Sequence, residues 1–475
     1  MSKLNGAIFG LQGQNWSLTH LKRLLPAVLG IAFSSLGHAD DKGCTADCPP
    51  KPAPVCNAFR NTDPRCDFWN RSTLTGDWGG VRPYLEDHGV TFVGNMTHFA
   101  FGVAGGINRP TVPVLGQGDA FKYTGRGEYD LLFDLDKLVG LPHGRLLVRA
   151  EQWFGTYGNI SLRTGSYAPA VFPAALPPRP DDPGMLYMTN FLYTQPLSEQ
   201  FIVFAGKKDI VGAVDQDTFA GGDGTHQFVN QALIANPAFL LGLPYSSYTA
   251  GALFRQSWGS ITAFVLDPKD RTAEFFNFDN IFGQGIIAGG EVKLKTNFFG
   301  LEGQQHVGGL WKNHDLTNLQ FAEPPPGEYP EPTVPGFPTL PTSWTVYHGF
   351  DQYFVQSPVD PTDGWGVFGR ASLSDGNPTP LRYFVQLGLG GKNPFGLNKG
   401  DRFGIGWYFV GTTSEFGALP RALFGPRNGT GMEVFYNFQV TPWLNITPDV
   451  QFIKPGAGAI SENAFVYGLR VNTRF

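Results

Sequence analysis

Apolar and polar side chains alternate over most of the chain from about Val90 onward. The clearest example is the C-terminus, where every second side chain from Phe465 to Phe475 falls on one face, while Arg470 and Arg474 fall on the other. A period of two residues is that of a β-strand, and no long window has the period of a helix. The pattern therefore predicts a chain built from consecutive strands.

The same split recurs along the chain and marks about sixteen strands. They are predicted to begin near residues 90, 123, 144, 185, 200, 247, 260, 285, 301, 343, 363, 380, 402, 430, 443 and 464. A soluble sandwich would cover the apolar face with a second sheet, whereas a membrane barrel turns that face to lipid and keeps the charged face on water. Because charges recur on one face of strand after strand, we predict an all-β fold, a transmembrane antiparallel β-barrel with both termini in the periplasm.

The predicted connections alternate between short and long. Tight turns are expected at 141–144, 197–200, 258–260, 299–300 and 441–443, and long loops at 103–122, 156–184, 210–246, 268–284, 313–342 and 413–429. Short periplasmic turns and long extracellular loops are typical of outer-membrane barrels. Segments 168–183 and 323–341 are rich in proline and either narrow the mouth or lie exposed at the rim. In loop 210–246, His226 to Ala235 has few helix breakers and predicts a short helix that could constrict the lumen.

Composition agrees with one large barrel better than with two or three soluble domains. The 475 residues include 62 Gly and 41 Phe, 14% are aromatic, and only 16% are charged. These proportions suit short strands, tight turns and aromatic girdles. The net charge of −5 gives no electrostatic reason to expect a nucleic acid as a partner.

The N-terminal segment has the features of an export signal. Lys22 and Arg23 precede an apolar stretch, and small residues stand at a cleavage position near Ala39. We therefore predict a signal peptide over 1–39, a periplasmic lead-in rich in cysteine and proline over 40–74, and the barrel over 75–475. The lead-in holds all four cysteines of the chain, which are Cys44, Cys48, Cys56 and Cys66. An oxidising periplasm would allow two disulfides among them, and a zinc site is the alternative.

Several short blocks resemble a known family. They read TGDWGGVR at 75–82, GKKD at 206–209, FAG at 219–221, EVFYN at 433–437, TPWL at 441–444, PDVQ at 448–451 and GLR at 468–470. In these blocks the chain resembles the carbohydrate-selective porins of the OprB type, over roughly residues 75–475. The resemblance implies a channel in the outer membrane of a Gram-negative bacterium, through which monosaccharides such as glucose and related polyols diffuse passively into the periplasm.

The candidate substrate-binding residues are side chains predicted to face the lumen. They are Arg126, Glu128 and Asp130 on the second strand, Arg149, Glu151 and Trp153 on the third, Lys207 and Asp209 on the fifth, and Arg370 and Arg382 on later strands. Sugar hydroxyls could exchange water for these polar groups, while aromatic faces guide the ring, and binding must stay weak enough to allow exit. The alternative is that inward charges only hydrate a wide lumen.

Enzymatic activity is not expected. The pair Glu128 and Asp130 could in principle serve a glycosidase, but carboxylates on many strands are more simply explained as lumen polarity. The chain has no GxSxG or HExxH motif, and its histidines lack metal-ligand spacing, so we expect neither a metal nor a cofactor. Two alternative functions are a porin of the same fold for another small solute such as an organic acid, and a secreted all-β carbohydrate-binding protein.

The expected partners follow from the prediction of an outer-membrane porin. They are small sugars, outer-membrane lipid, and the barrel-assembly machinery, which would act on the last strand with its terminal Phe475. The barrel is expected to be a monomer or a homotrimer.

Overall fold

The computed structural model describes residues 67–107, 120–155, 160–176, 185–209, 214–320, 338–396, 398–418, 421 and 425–475. The predicted signal peptide, most of the predicted lead-in and all four cysteines lie outside these ranges. All structural statements below concern the described residues.

Sixteen strands account for most of the described chain. They are β1 (Val90–Ile107), β2 (Phe121–Asp134), β3 (Arg145–Gly155), β4 (Leu186–Pro196), β5 (Phe201–Asp209), β6 (Ser246–Gln256), β7 (Gly259–Leu266), β8 (Ile286–Phe298), β9 (Leu301–Thr317), β10 (Thr339–Gln356), β11 (Gly364–Ser374), β12 (Leu381–Lys392), β13 (Arg402–Thr412), β14 (Gly429–Thr441), β15 (Leu444–Lys454) and β16 (Ser461–Arg474). Each begins within four residues of its predicted start, because alternation and turn residues mark strand limits directly.

The strands form one closed antiparallel barrel in which each pairs with its neighbours in the chain. Closure is made by β1 and β16, so that Thr97 lies opposite Arg126 on one side and opposite Asn472 on the other. Closure pairs the backbone groups that an open sheet would leave at its edges, as a barrel in lipid requires. The predicted fold class is confirmed.

The two faces of the barrel differ as the alternation predicts. On β16 the side chains of Tyr467 and Leu469 are 46% and 42% exposed, whereas Arg470 and Asn472 are buried inside. On β8 Val292 lies exposed on the outer face. The outer face is therefore apolar, and the inner face carries the charges.

The connections also divide as predicted. At the end where β1 begins and β16 ends, here called the turn rim, seven connections occupy 135–144, 197–200, 257–258, 299–300, 357–363, 393–401 and 442–443. The opposite end, here called the loop rim, carries the six predicted long loops and two connections of six residues each, at 375–380 and 455–460. Which rim faces the periplasm stays a prediction.

Helices in the described ranges are short. They are α1 (Val81–Asp87), α2 (Leu135–Val139), α3 (Ser161–Thr164), α4 (Gln231–Ile234), α5 (Pro237–Leu240) and two 3₁₀ turns, Trp78–Gly80 and Pro173–Ala175. The alternation of β2 ends at Asp134, because its side chain accepts a hydrogen bond from the Asp136 N–H and caps α2 there. Among these helices none is long and apolar enough to cross a membrane.

The N-terminal block of the family resemblance lies against the seam between β1 and β16. The buried Arg82 guanidinium, on α1, donates to the carbonyls of Phe92 at 3.0 Å and Phe475 at 2.8 Å, and to Thr73 Oγ1 at 2.8 Å. Leu74 N–H donates to the Arg474 carbonyl at 2.8 Å. One side chain therefore links the segment before the barrel to both strands of the seam.

Replacing Arg82 with alanine should destabilise the closed barrel. The change removes several hydrogen bonds from a cation, and we expect the free energy of unfolding to fall by about 3 kcal/mol. Urea titration of the folded protein in lipid vesicles measures this change. Lys399→Ala removes a charge from an exposed position on the same rim and should leave stability unchanged. Equal stability of the two variants would contradict the role given to Arg82.

Candidate functional site

The loop between β5 and β6 folds into the barrel. Its described residues, 214–245, are called the inward loop. Phe228 is fully buried and packs edge-on against Phe368 of β11 and Phe435 of β14, with ring centroids 5.5 and 4.9 Å away. The side chains of Asn230 and Asn236 cap α4 and α5. A short helix thus forms within 226–235, as the scarcity of helix breakers indicated, and it lies inside the lumen.

Three lumen-facing side chains near the C-terminus hold the inward loop. Glu433 on β14 accepts the N–H groups of Val229 and Asn230 at 2.7 and 2.8 Å. Gln451 on β15 accepts the Asn230 amide at 3.0 Å. Arg470 on β16 donates to the carbonyl of Gln227 at 2.7 Å and to that of Gly224. These side chains belong to the blocks that resemble the family, so one physical role of those blocks is to position the loop.

Arg370 on β11 holds the start of the same loop. Its guanidinium lies 2.7 Å from Asp215 Oδ1 and donates to Asp217 Oδ2 at 2.7 Å. Glu291 of β8 accepts the Asp215 N–H at 2.7 Å. Burial raises the pKa of Asp217 to about 6, although Arg370 opposes this rise. Arg370 was predicted as a sugar-binding residue, and the structure places it in contact with the loop.

Arg126 and Glu151 meet at the other end of the loop. Arg126 Nη2 lies 2.7 Å from Glu151 Oε2 and 3.6 Å from Glu128 Oε1. The Tyr245 hydroxyl accepts from Arg126 at 2.5 Å and donates to Glu151 at 2.6 Å. Burial holds the pKa of Tyr245 well above its ordinary value, which keeps the phenol a donor. Arg126 also lies over the Trp153 ring, 5.5 Å from its centroid.

Arg149 extends this cluster along the wall. It binds both oxygens of Asp130, at 2.6 and 2.8 Å, and lies 3.3 Å from Asp209. Asn190 of β4 donates to Asp209 at 2.7 Å. The wall cluster is defined here by seven of the predicted residues, which the structure brings together: Arg126, Glu128, Asp130, Arg149, Glu151, Trp153 and Asp209.

The remaining two predicted residues lie apart. Lys207 was expected to share a face with Asp209, but its ammonium donates to the carbonyls of Met188 and Glu274, both at 2.6 Å. Gly206 precedes it with a φ of 141°, and the pairing of β5 with β4 and β6 continues through this position without a shift. Arg382 lies at the loop rim, where it donates to the Asp375 carbonyl at 2.5 Å.

The tip of the inward loop adds residues that the sequence did not single out. Asp223 accepts the Thr225 N–H at 2.9 Å, and His226 follows three residues later. Burial and then the neighbouring Arg402 lower the pKa of His226 to about 3, so the imidazole is neutral at pH 7. Arg470 also contributes to this shift. One sequence signal could have indicated the tip. It is the polar segment from Asp223 to Gln227, which stands between Phe219 and Phe228.

Groups of both charges lie near the tip of the inward loop. Asp223 and His226 on the loop are close enough to influence, or be influenced by, Glu128, Arg402 and Arg470 on the wall, and these five residues are called the ring of mixed charge. It offers hydrogen-bond donors and acceptors of both signs, which is the chemistry that polyhydroxylated solutes need. Throughout the described ranges, no group of three or more His, Cys, Asp or Glu side chains could hold a metal ion.

Comparison with known proteins identifies the architecture. Residues 119–475 match the family model described as "Carbohydrate-selective porin, OprB family". Porin B of Pseudomonas aeruginosa is 26% identical over 132 residues, which cover 24% of this chain and 29% of that protein. The structure titled "High pH structure of Pseudomonas putida OprB" superposes with a TM-score of 0.71 at 17% identity, covering 86% of this chain and all of the other. The corresponding low-pH structure gives a TM-score of 0.52 at 15% identity, over 85% of this chain and 99% of the other.

Replacing Glu433 with alanine should release the inward loop. Two charge-assisted hydrogen bonds to the loop backbone would be lost, and we expect docking to weaken by about 3 kcal/mol. Channels in planar bilayers should then show higher conductance, and chymotrypsin should cleave at the loop aromatics Phe219, Phe228 and Phe239, which are buried in the native protein.

Two further variants make this test specific. Glu433→Gln keeps one acceptor oxygen and should give an intermediate increase in conductance. Glu462→Ala removes an exposed carboxylate at the loop rim and should behave as the native protein does. Native conductance and protease resistance in Glu433→Ala would show that the loop does not depend on this contact.

Proposed function

Because the chain belongs to the carbohydrate-selective porin family, we propose that it is a passive channel for monosaccharide-sized polyols, glucose-like sugars among them. Membership of a porin family, together with the closed barrel, implies a protein of the Gram-negative outer membrane and indicates transport instead of catalysis. The alternative of a secreted carbohydrate-binding protein receives no support from this architecture. We further propose that the turn rim faces the periplasm and the loop rim faces outward, which is the arrangement usual for such barrels.

The observation that carries the proposal is the ring of mixed charge around the tip of the inward loop. The ring holds charges of both signs, so a neutral solute meets neither a single-sign field nor an apolar barrier. Hydroxyl groups can replace water on Asp223 and Glu128 as donors and on Arg402 as acceptors. Because each contact competes with water, binding stays weak enough for passage.

The wall cluster is proposed to support this path. Within the described residues, Arg126 Nη1, Glu128 Oε1 and Glu151 Oε1 have no hydrogen-bond partner. Such atoms favour water or a polar solute in the adjacent lumen, because a buried polar group without a partner costs free energy. We propose Arg126, Glu128, Asp130, Arg149, Glu151, Trp153 and Asp209 as the polar wall, and Arg370 as a residue that acts on the solute path through the loop.

Asp223→Asn should weaken the interaction with sugar while preserving the loop. The asparagine oxygen can still accept from Thr225, so the turn is kept, but the ring loses one of its two carboxylates. Ion current through single channels, titrated with glucose, should require about threefold more glucose for half-block, the size expected from one weakened hydrogen bond. The reversal potential in a KCl gradient should shift toward anion selectivity.

The matched control is Asp279→Asn, an exposed carboxylate in the loop between β7 and β8. It should change neither glucose block nor selectivity. Discrete native channels that glucose does not block at all would reject the proposed sugar function. Unaltered glucose block in Asp223→Asn would remove the loop tip from the solute path.

A further inference from the structure

Four polar side chains share the outer face of β8, β9 and β10. His348 on β10 points outward, since the Tyr347 hydroxyl beside it donates to Glu291 inside the barrel at 3.0 Å. The Val307 side chain opposite it on β9 is 57% exposed on the outer face. Residues two apart on a strand, and residues paired directly across strands, share a face. This face therefore carries the four side chains that are called the polar strip here, namely Thr296, Gln305, His348 and Gln352.

The polar strip lies between two rows of aromatic side chains on the outer face. Trp311 and Trp344 lie opposite each other on the loop-rim side. Phe298 and Phe354, each about half exposed, lie on the turn-rim side. Aromatic rows of this kind mark the two surfaces of the bilayer, and the band between them faces hydrocarbon. A single barrel would therefore turn the polar strip toward lipid.

Elsewhere the band between the aromatic rows is mostly apolar. On β12 and β13 its outward side chains include Val385, Leu387, Leu389 and Ile405. On β1 the imidazole of His98 also faces outward, but the Tyr123 hydroxyl is its partner at 2.7 Å from Nδ1. Because hydrocarbon offers no hydrogen bonds, a polar side chain that faces it without a partner costs free energy. The polar strip therefore needs partners that acyl chains do not supply.

The polar strip is only partly satisfied within its own barrel. His348 Nε2 lies 2.9 Å from Gln305 Oε1. Since this oxygen can only accept, Nε2 carries the proton, and Nδ1 of the neutral ring is an acceptor. Among the described residues, neither His348 Nδ1 nor Gln305 Nε2 has a hydrogen-bond partner. The buried atoms Thr296 Oγ1 and Gln352 Oε1 lack one as well.

The free groups at the centre of the strip are complementary to themselves. Gln305 Nε2 is a donor and His348 Nδ1 is an acceptor, so two copies related by a two-fold axis can form two reciprocal hydrogen bonds. Gly309 and Ala371 share this outer face, and such small residues let two membrane surfaces approach closely. The strip carries no permanent charge, so the contact does not bury an ion.

We propose that the outer face of β8 to β10 is an interface between two copies of this chain, with the Gln305 amide of each copy donating to His348 Nδ1 of the other. A second copy supplies the hydrogen-bonding groups that lipid lacks at this depth. The inference goes beyond the proposed function, because it does not depend on which solute passes. Each barrel keeps its own inward loop, so its conductance is independent of the association.

The first test determines the mass and the contact face of the full-length protein. In mild detergent, light scattering should give a protein mass of two chains. The photo-crosslinking amino acid p-benzoylphenylalanine should join two copies in lipid vesicles when it replaces Val307. It should not do so when it replaces Leu469, which is 42% exposed on the outer face of β16. A protein mass of one chain, or of three, would overturn the proposal.

Variants then assign the association to the reciprocal hydrogen bonds. The double change Gln305→Leu and His348→Leu should raise the Kd of the dimer about tenfold, the size expected from two weak hydrogen bonds in a membrane. His348→Gln keeps a donor and an acceptor and should retain most of the association. Met432→Leu alters the apolar outer face of β14 and should change nothing. Energy transfer between labelled copies, measured as vesicle lipid is increased, gives each Kd.

Two outcomes would show that the contact is elsewhere. A dimer whose Kd is the same in the double variant would overturn the proposed interface, as would crosslinking from position 469 instead of 307. Native single-channel conductance in every variant serves as the test of correct folding. Native channels that no sugar blocks would reject the proposed function and leave this interface standing, so the failure of one proposal is distinct from the failure of the other.

Discussion

Glu433 and Arg470 face the inward loop from two strands of the wall and bind groups of opposite polarity on its backbone. The carboxylate accepts N–H groups of the loop, and the guanidinium donates to its carbonyls. An enclosed charge is costly unless it is hydrogen-bonded, and buried backbone groups need partners as well. Wall and loop therefore satisfy each other, and the position of the loop tip inside the barrel, with the ring of mixed charge around it, depends on this contact.

Several blocks that resemble the family make contacts of the same kind. Their side chains that point inward or toward the seam make long-range hydrogen bonds. Arg82 links the N-terminal segment to the last residue of the chain, and Gln451 reaches Asn230 and the carbonyl of Ala170. These side chains thus tie together parts of the chain that are far apart in sequence, which local strand formation alone cannot do.

The barrel could be predicted from the sequence because strand periodicity is local, whereas the site depends on contacts that are not. All sixteen strand starts and the division into short and long connections followed from alternation and turn residues. Alternation failed where a local feature overrode it, as at Asp134, which caps a helix. Alternation also could not show that Arg370 binds Asp217. Asp217 lies on the inward loop, and the strand pattern does not show that this loop enters the barrel.

Charge pairing is what distinguishes the roles of the lumen arginines. A guanidinium that is already bound by carboxylates, such as Arg149, offers a solute only a polar, nearly neutral surface, which favours no particular charge. Arg470 instead donates to two carbonyls of the inward loop, so its charge serves to position the loop. A lumen lined in this way offers polar groups without a strong field of one sign, which suits the neutral polyols of the proposed function.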